Sequence, residues 1–157
     1  MIIVGMADSA VAKKPLKLTT LGLGSCVGIS LYDKSTGVGG MVHIMLPTVE
    51  SARSKENIDK FADTGIPALL DSMVKEGAYK HRTVAKIAGG ASMFSFNSNS
   101  NLNVGERNIA ATKTALKALK IPIVAEDTGQ NYGRTIILDT ENGELTVKSA
   151  LKGIKTY

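Results

Sequence analysis

Apolar positions recur every second residue through Val27, Ile29 and Leu31, with Gly28 and Ser30 between them, which is strand periodicity. A polar turn, Tyr32-Asp33-Lys34-Ser35-Thr36-Gly37, ends this run. A second apolar stretch over 38–46 follows, so the two are predicted to pair as a hairpin, with Pro47 as its stop. Further strands are predicted at 2–6, 83–88, 121–125, 134–139 and 144–149, with Gly89-Gly90 closing the one at 83–88. Residues 55–76 read as a helix with Ile58, Phe61, Leu69, Leu70 and Met73 available for an apolar face. Gly65-Ile66-Pro67 predicts a kink there, or two helical pieces. The clearest helix spans 105–120, with Ile109, Leu116 and Leu119 on one side, and the polar stretch 94–103 reads as a surface loop. Short strands, several in hairpins, mixed with two helical regions predict an α+β fold rather than a doubly wound sheet. With neither a repeat nor a linker in view, 1–157 reads as one domain.

Composition narrows this picture. Of 157 residues, 43% are hydrophobic but only 4% are aromatic, and Trp is absent, so the core must be aliphatic. The net charge of +5 suggests an acidic partner. Nucleic acid is disfavoured, because Lys and Arg are scattered without a basic run and aromatic stacking platforms are scarce. No apolar run approaches the roughly 20 residues that span a bilayer, and the first residues lack the layout of a signal peptide. A cytoplasmic protein without membrane insertion is expected. The one cysteine excludes an internal disulfide and agrees with a reducing compartment. No cofactor or metal is expected.

That cysteine carries the candidate chemistry. Cys26 sits in Gly22-Leu23-Gly24-Ser25-Cys26-Val27-Gly28 at the entrance to a strand. Glycines there permit tight backbone geometry and close substrate approach, and N–H groups in the turn, at Gly24, Ser25 or Cys26 itself, could face an oxyanion. A free cysteine is more commonly a small buried hydrophobe, and that reading stands beside the nucleophile. His43 adds weight to the second. Alternation puts Met41, His43 and Met45 on one face and Val42, Ile44 and Leu46 on the other. In the inferred hairpin Cys26 and His43 share the open end, where an imidazole would depress the thiol pKa and supply the thiolate. A buried structural histidine fits the same pattern. Thr20, six positions before Cys26, offers a hydroxyl to orient the imidazole, although threonine is also an ordinary strand former. His81, in Tyr79-Lys80-His81-Arg82, reads as exposed.

The stretch LTTLGLGSCVGISLYD followed by GGMVHIMLP resembles the CheD family of chemoreceptor glutamine deamidases. So do residues 86–93, Val104-Gly105-Glu106-Arg107-Asn108, and Asp127-Thr128-Gly129-Gln130-Asn131-Tyr132-Gly133-Arg134. Together these five ordered segments run from about residue 19 to residue 134. The resemblance implies a Cys-His-Thr triad on Cys26, His43 and Thr20, and hydrolysis of glutamine side chains on receptor helices, with methyl-ester hydrolysis by the same machinery. It implies a β-sandwich flanked by helices, similar to the catalytic domain of the cytotoxic necrotizing factor toxins, and CheC, a phosphatase acting on CheY, as a partner. One departure is Gln130, where the family commonly has glycine. Beside the deamidase stand two other readings: a module that mainly docks CheC, and another cysteine acyl-transfer enzyme such as a transglutaminase or small amidase.

Overall fold

The computed structural model describes residues 1–51, 56–92 and 103–157. Among these residues, ten strands form two five-stranded sheets. Sheet A has the order β1 (Ile2–Ile3), β3 (Lys17–Leu23), β8 (Arg134–Asp139), β9 (Leu145–Ser149) and β10 (Gly153–Thr156). Sheet B has the order β2 (Ser9–Lys13), β5 (Val38–Ile44), β4 (Val27–Asp33), β6 (Thr83–Gly89) and β7 (Ile123–Thr128). Pairing is antiparallel except at β1–β3 and β6–β7. Two helices, α1 (Ala62–Lys75) and α2 (Val104–Ala118), pack on sheet B. The predicted α+β sandwich with flanking helices is therefore the observed architecture.

Two apolar cores explain why the β4–β5 hairpin forms the centre. On one side of sheet B, Val27, Ile29, Val42 and Ile44 meet Ile66, Leu69, Met73 and Leu116 from the helices. On the other, Cys26 and Met41 meet Leu18, Leu23, Ile136 and Leu138 of sheet A. Every residue of β4 and β5 is buried because both faces are covered. The sheets approach closely at Gly28, where a Cβ would lie 2.6 Å from Ile136 Cδ1.

Several expectations change. The hairpin holds, with Val27 opposite Ile44 and Gly28 opposite His43. The helix expected over 55–76 begins only at Ala62, after a 3-10 turn at Ile58–Lys60 that leaves Ile58 half exposed. It runs on through Pro67 as a single element; a proline in its second turn forfeits only one hydrogen bond near the helix start. The strand expected at 2–6 shrinks to Ile2–Ile3, and the one at 121–125 becomes Ile123–Thr128. Strands β2, β3 and β10 were not foreseen. β3 carries a register irregularity between Thr20 and Leu23, and its glycine-broken alternation hides it as a turn. The loop expected at 94–103 lies outside the described residues except for Asn103, which stands at the N-cap position of α2 without a side-chain capping bond.

Phe61 leads into α1, is fully buried and bridges Leu46. Phe61→Ala is expected to cost about 3–5 kcal/mol by lost burial and cavity formation. Urea unfolding should show a lowered midpoint at unchanged slope, and a loss under about 1 kcal/mol would contradict this packing.

Candidate active site

His43 leaves β5 on the face of sheet B that looks across the seam to sheet A. Its Nδ1 lies 2.7 Å from Thr20 Oγ1, on β3 of the opposite sheet. Thr20 Oγ1 also donates to the Val4 carbonyl at 2.7 Å. A hydroxyl has one proton and a carbonyl can only accept. That proton is spent on Val4, so Thr20 must accept from His43 Nδ1–H. The neutral imidazole is then the Nδ1–H tautomer, and Nε2 holds the lone pair. Nε2 is buried and has no hydrogen-bond partner among the described residues. Burial also holds the His43 pKa below the usual imidazole value.

The backbone locks this arrangement from the N-terminal side. Val4 N–H donates to Thr19 O at 2.7 Å, Ala7 N–H to His43 O at 2.9 Å, and His43 N–H to Asp8 O at 3.1 Å. Residues 4–8 thus tie the Thr20 strand to the His43 strand.

Cys26 stands one residue before β4. Because Gly28 faces His43 across the hairpin, Cys26 occupies the diagonal position on the same face. Such positions sit about 7–8 Å apart at Cα, within reach of a ring. Gly28 places no side chain between them. Thr20 and His43 are fully buried, whereas Cys26 is 9% exposed, so Cys26 is the member of the three that reaches solvent. Burial raises the Cys26 thiol pKa above its ordinary value, opposed in part by its own backbone N–H. This corrects the expectation that the imidazole would depress the thiol pKa. Desolvation, the largest cause for both groups, moves thiol and imidazole toward their neutral forms.

The turn around Cys26 is gripped by the segment that follows β6. Gly90 N–H donates to Cys26 O and Ala91 N–H to Gly24 O, both at 2.8 Å. Gly89 has a φ of +107°, and a Cβ there would sit 2.3 Å from Cys26 O, so glycine is required. The backbone N–H groups of Ser25 and Cys26 take no part in any backbone–backbone hydrogen bond among the described residues. Asn108 of α2 donates through Nδ2 to Ser25 O and Met45 O, at 2.9 and 3.0 Å. Sequence reasoning saw this asparagine only as part of a helix opening; an amide four residues before Thr112 and eight before Leu116, on the helix face turned to the core, was the overlooked signal.

Other singled-out residues fall elsewhere. His81 is exposed and stacks edge-on against Tyr79. Arg134 is buried, donates through Nε to Asp127 Oδ1 at 2.8 Å, and stacks on Tyr132. Tyr157 donates to Asp127 Oδ2 at 2.7 Å, which pushes its own pKa up to about 12. The 127–134 segment is thus an ion-paired turn between β7 and β8. Gln130 has a φ of +60° there, which explains why glycine suits that position. Among the described residues, no group of three or more His, Cys, Asp or Glu side chains is placed to hold a metal ion. No helix among them is long and apolar enough to cross a membrane.

The fold is an α+β sandwich of two sheets, with Thr20 and His43 hydrogen-bonded across its seam and Cys26 on the same face. A protein from Bacillus licheniformis, solved as the hypothetical protein YfiH, shares this fold at a TM-score of 0.50 and 16% identity, over 77% of this chain and 50% of that one. The family profile described as CheD chemotactic sensory transduction matches residues 45–149. Relatives called "Probable chemoreceptor glutamine deamidase CheD" align over nearly the whole chain. Those of Caldanaerobacter subterraneus subsp. tengcongensis and Lachnoclostridium phytofermentans are each 58% identical over 97% of this chain, covering 94% and 95% of their own lengths. One from Methanosarcina acetivorans is 47% identical over 98% of this chain and 95% of its own. The chain belongs to the CheD family.

The tautomer and depressed pKa of His43 are directly measurable. Nitrogen-15 NMR should show Nδ1 protonated and Nε2 bare at neutral pH, with Nε2 taking a proton only below the usual imidazole range near 6.5. A His43 that is protonated at pH 7, or carries its proton on Nε2, would contradict the hydrogen-bond chain. The sign for stability follows: with the folded pKa depressed, the contribution is present above about 6.5 and lost as pH falls through the folded value.

Proposed function

We propose that this chain hydrolyses the side-chain amide of glutamines on bacterial chemoreceptors, with Cys26 as nucleophile, His43 as general base and acid, and Thr20 orienting His43. The observation that carries the reading is the Val4–Thr20–His43 chain, which leaves Nε2 as a bare base on the seam face that also carries Cys26. The names of the relatives supply the substrate class. Residues 1–157 act as one domain, in the cytoplasm, where the receptor helices present their side chains.

In the resting enzyme thiol and imidazole are neutral. As the substrate carboxamide reaches Cys26, the thiol proton moves to His43 Nε2 and sulfur bonds to the carboxamide carbon. The carbonyl oxygen becomes an oxyanion, received by the Cys26 N–H in the Gly24–Ser25 turn. The tetrahedral intermediate collapses, the C–N bond breaks, and Nε2–H protonates the departing nitrogen, releasing ammonia. Neutral His43 then takes a proton from water, whose oxygen attacks the thioester. The C–S bond breaks, glutamate remains on the receptor, and Nε2–H returns its proton to sulfur. A receptor methyl ester enters the same cycle with methanol as leaving group. CheC is the regulatory partner in this reading, and the net charge of +5 favours an acidic receptor surface.

The test is mass spectrometry of a receptor cytoplasmic fragment after incubation, alongside ammonia release. Wild type should convert specific glutamines to glutamates, and Cys26→Ala none. Ammonia release by Cys26→Ala, or incorporation of added amine in place of glutamate formation, would defeat the assignment.

Proton placement gives a second expected outcome. Alkylation of Cys26 by iodoacetamide in the free protein should accelerate only as pH climbs past the ordinary thiol value of about 8.5. A fast plateau already present near neutrality would mean a resting thiolate–imidazolium pair and overturn the proton order given above.

A further inference from the structure

The buried residues of α2 form one stripe of Gly105, Asn108, Thr112 and Leu116, facing sheet B. An asparagine in this stripe is costly: its side chain is fully buried and its Oδ1 has no partner among the described residues. Both known contacts of the amide are donations from Nδ2, to the carbonyls of Ser25 and Met45. Two carbonyl partners fix which way the amide points, since the flipped form would set oxygen against oxygen.

Their location is what matters. The ladder between β4 and β5 ends at the pair Val27–Ile44, so Ser25 and Met45 lie just beyond it, where the nucleophile and base strands are free to part. Asn108 rejoins them. The Ser25 carbonyl also belongs to the peptide unit whose other end is the Cys26 N–H. A peptide unit is planar and trans, so holding its oxygen sets the direction of its N–H. A hydrogen bond accepted at the oxygen also polarises the unit and strengthens that N–H as a donor. The seat of Asn108 is tight: a Cβ on Gly105 would lie 2.3 Å from Ala91 O, and one on Gly90 would lie 2.3 Å from Ile109 Cγ1. The start of α2 is therefore pressed against the 89–91 segment that itself holds Gly24 and Cys26.

We propose that Asn108 is a positioning residue for the reaction at Cys26: its side-chain amide aims and polarises the Ser25–Cys26 peptide toward the oxyanion and clamps the nucleophile strand to the base strand. This rests on the assignment of Cys26 as nucleophile. Asn108→Asp removes the donors and sets a carboxylate against two carbonyls; Asn108→Ser retains one short donor. Removing an oxyanion donor outright typically costs about 100- to 1,000-fold in kcat. Misaiming one should cost less, and Asn108→Asp is expected to lower kcat for receptor deamidation about 10- to 100-fold with KM within about twofold, because substrate binding is untouched. Asn108→Ser should fall between it and wild type. The iodoacetamide rate of Cys26 should hold in both variants, while the Cys26 amide proton shifts in the NMR spectrum. Thr112→Val, one turn along the same stripe, should leave kcat unchanged. Wild-type kcat in folded Asn108→Asp, or a loss matched by Thr112→Val, overturns the proposal. If the Asn108 variants do not fold, the intact protein decides: scalar coupling across the hydrogen bond from Asn108 Nδ2 to the Ser25 carbonyl carbon must be present, and its absence overturns the proposal. Ammonia release by Cys26→Ala would instead defeat the nucleophile assignment, so the two failures are distinguishable.

Discussion

A threonine hydroxyl has a single proton to give, and the candidate site depends on where Thr20 sends it. Donation to Val4 forces the oxygen to act as acceptor toward His43, and so decides which imidazole nitrogen is bare. The partners come from three places in the chain. Val4 follows the short β1, Thr20 lies in β3 and His43 in β5 of the opposing sheet. The parallel addition of β1 to β3 is what carries the Val4 carbonyl to the hydroxyl. The close approach of the sheets at Gly28, directly across from His43, is what lets an imidazole on one sheet reach a hydroxyl on the other. Sheet packing and proton placement are here one problem, because a shift between the sheets would part Thr20 from His43.

Burial decides the charge state. Both Cys26 and His43 are moved toward their neutral forms, the thiol upward and the imidazole downward, and desolvation is the leading cause in each. The same desolvation disfavours a resting ion pair in this seam. In the proposed reaction, charge therefore appears only when the substrate carbonyl arrives to share it. A thiol kept protonated until then is also protected from the oxidants and alkylators that attack thiolates.

How much of this was legible varied by element. The β4–β5 hairpin and the shared face of Met41, His43 and Met45 followed from alternation, because both strands are regular and buried on both sides. α2 was equally plain. The outlines of sheet A were not. β3 carries polar Lys17, Thr19 and Thr20 and a register irregularity, and β10 is exposed throughout, so neither shows clean periodicity. Cys26 and His43 could be paired from the hairpin alone. Thr20 as orienter came from family resemblance, because its partner lies on another sheet and no local pattern encodes that contact. The Val4 carbonyl was illegible for a stronger reason: it is backbone, and its identity depends on tertiary register rather than residue type. The thiol pKa was misjudged because proximity to a histidine is visible in a hairpin, whereas depth of burial is not.

Buried polar atoms without hydrogen-bond partners are unevenly placed in the protein. Among the described residues these are His43 Nε2, Asn108 Oδ1, Thr112 Oγ1 and Arg134 Nη2. His43 and Asn108 flank the Cys26 turn, Thr112 lies one helical turn from Asn108, and Arg134 pairs across the ladder with Leu23, three residues before Cys26. A buried unpaired polar group costs about 1–3 kcal/mol; at Arg134 the ion pair with Asp127 offsets it. A chain shaped for stability alone would not place two such atoms, on His43 and Asn108, beside one turn. Their concentration there, with aliphatic packing filling the rest of both cores, is the pattern expected where stability has been exchanged for chemistry. It points to the end of the seam around Cys26 independently of any likeness to other proteins.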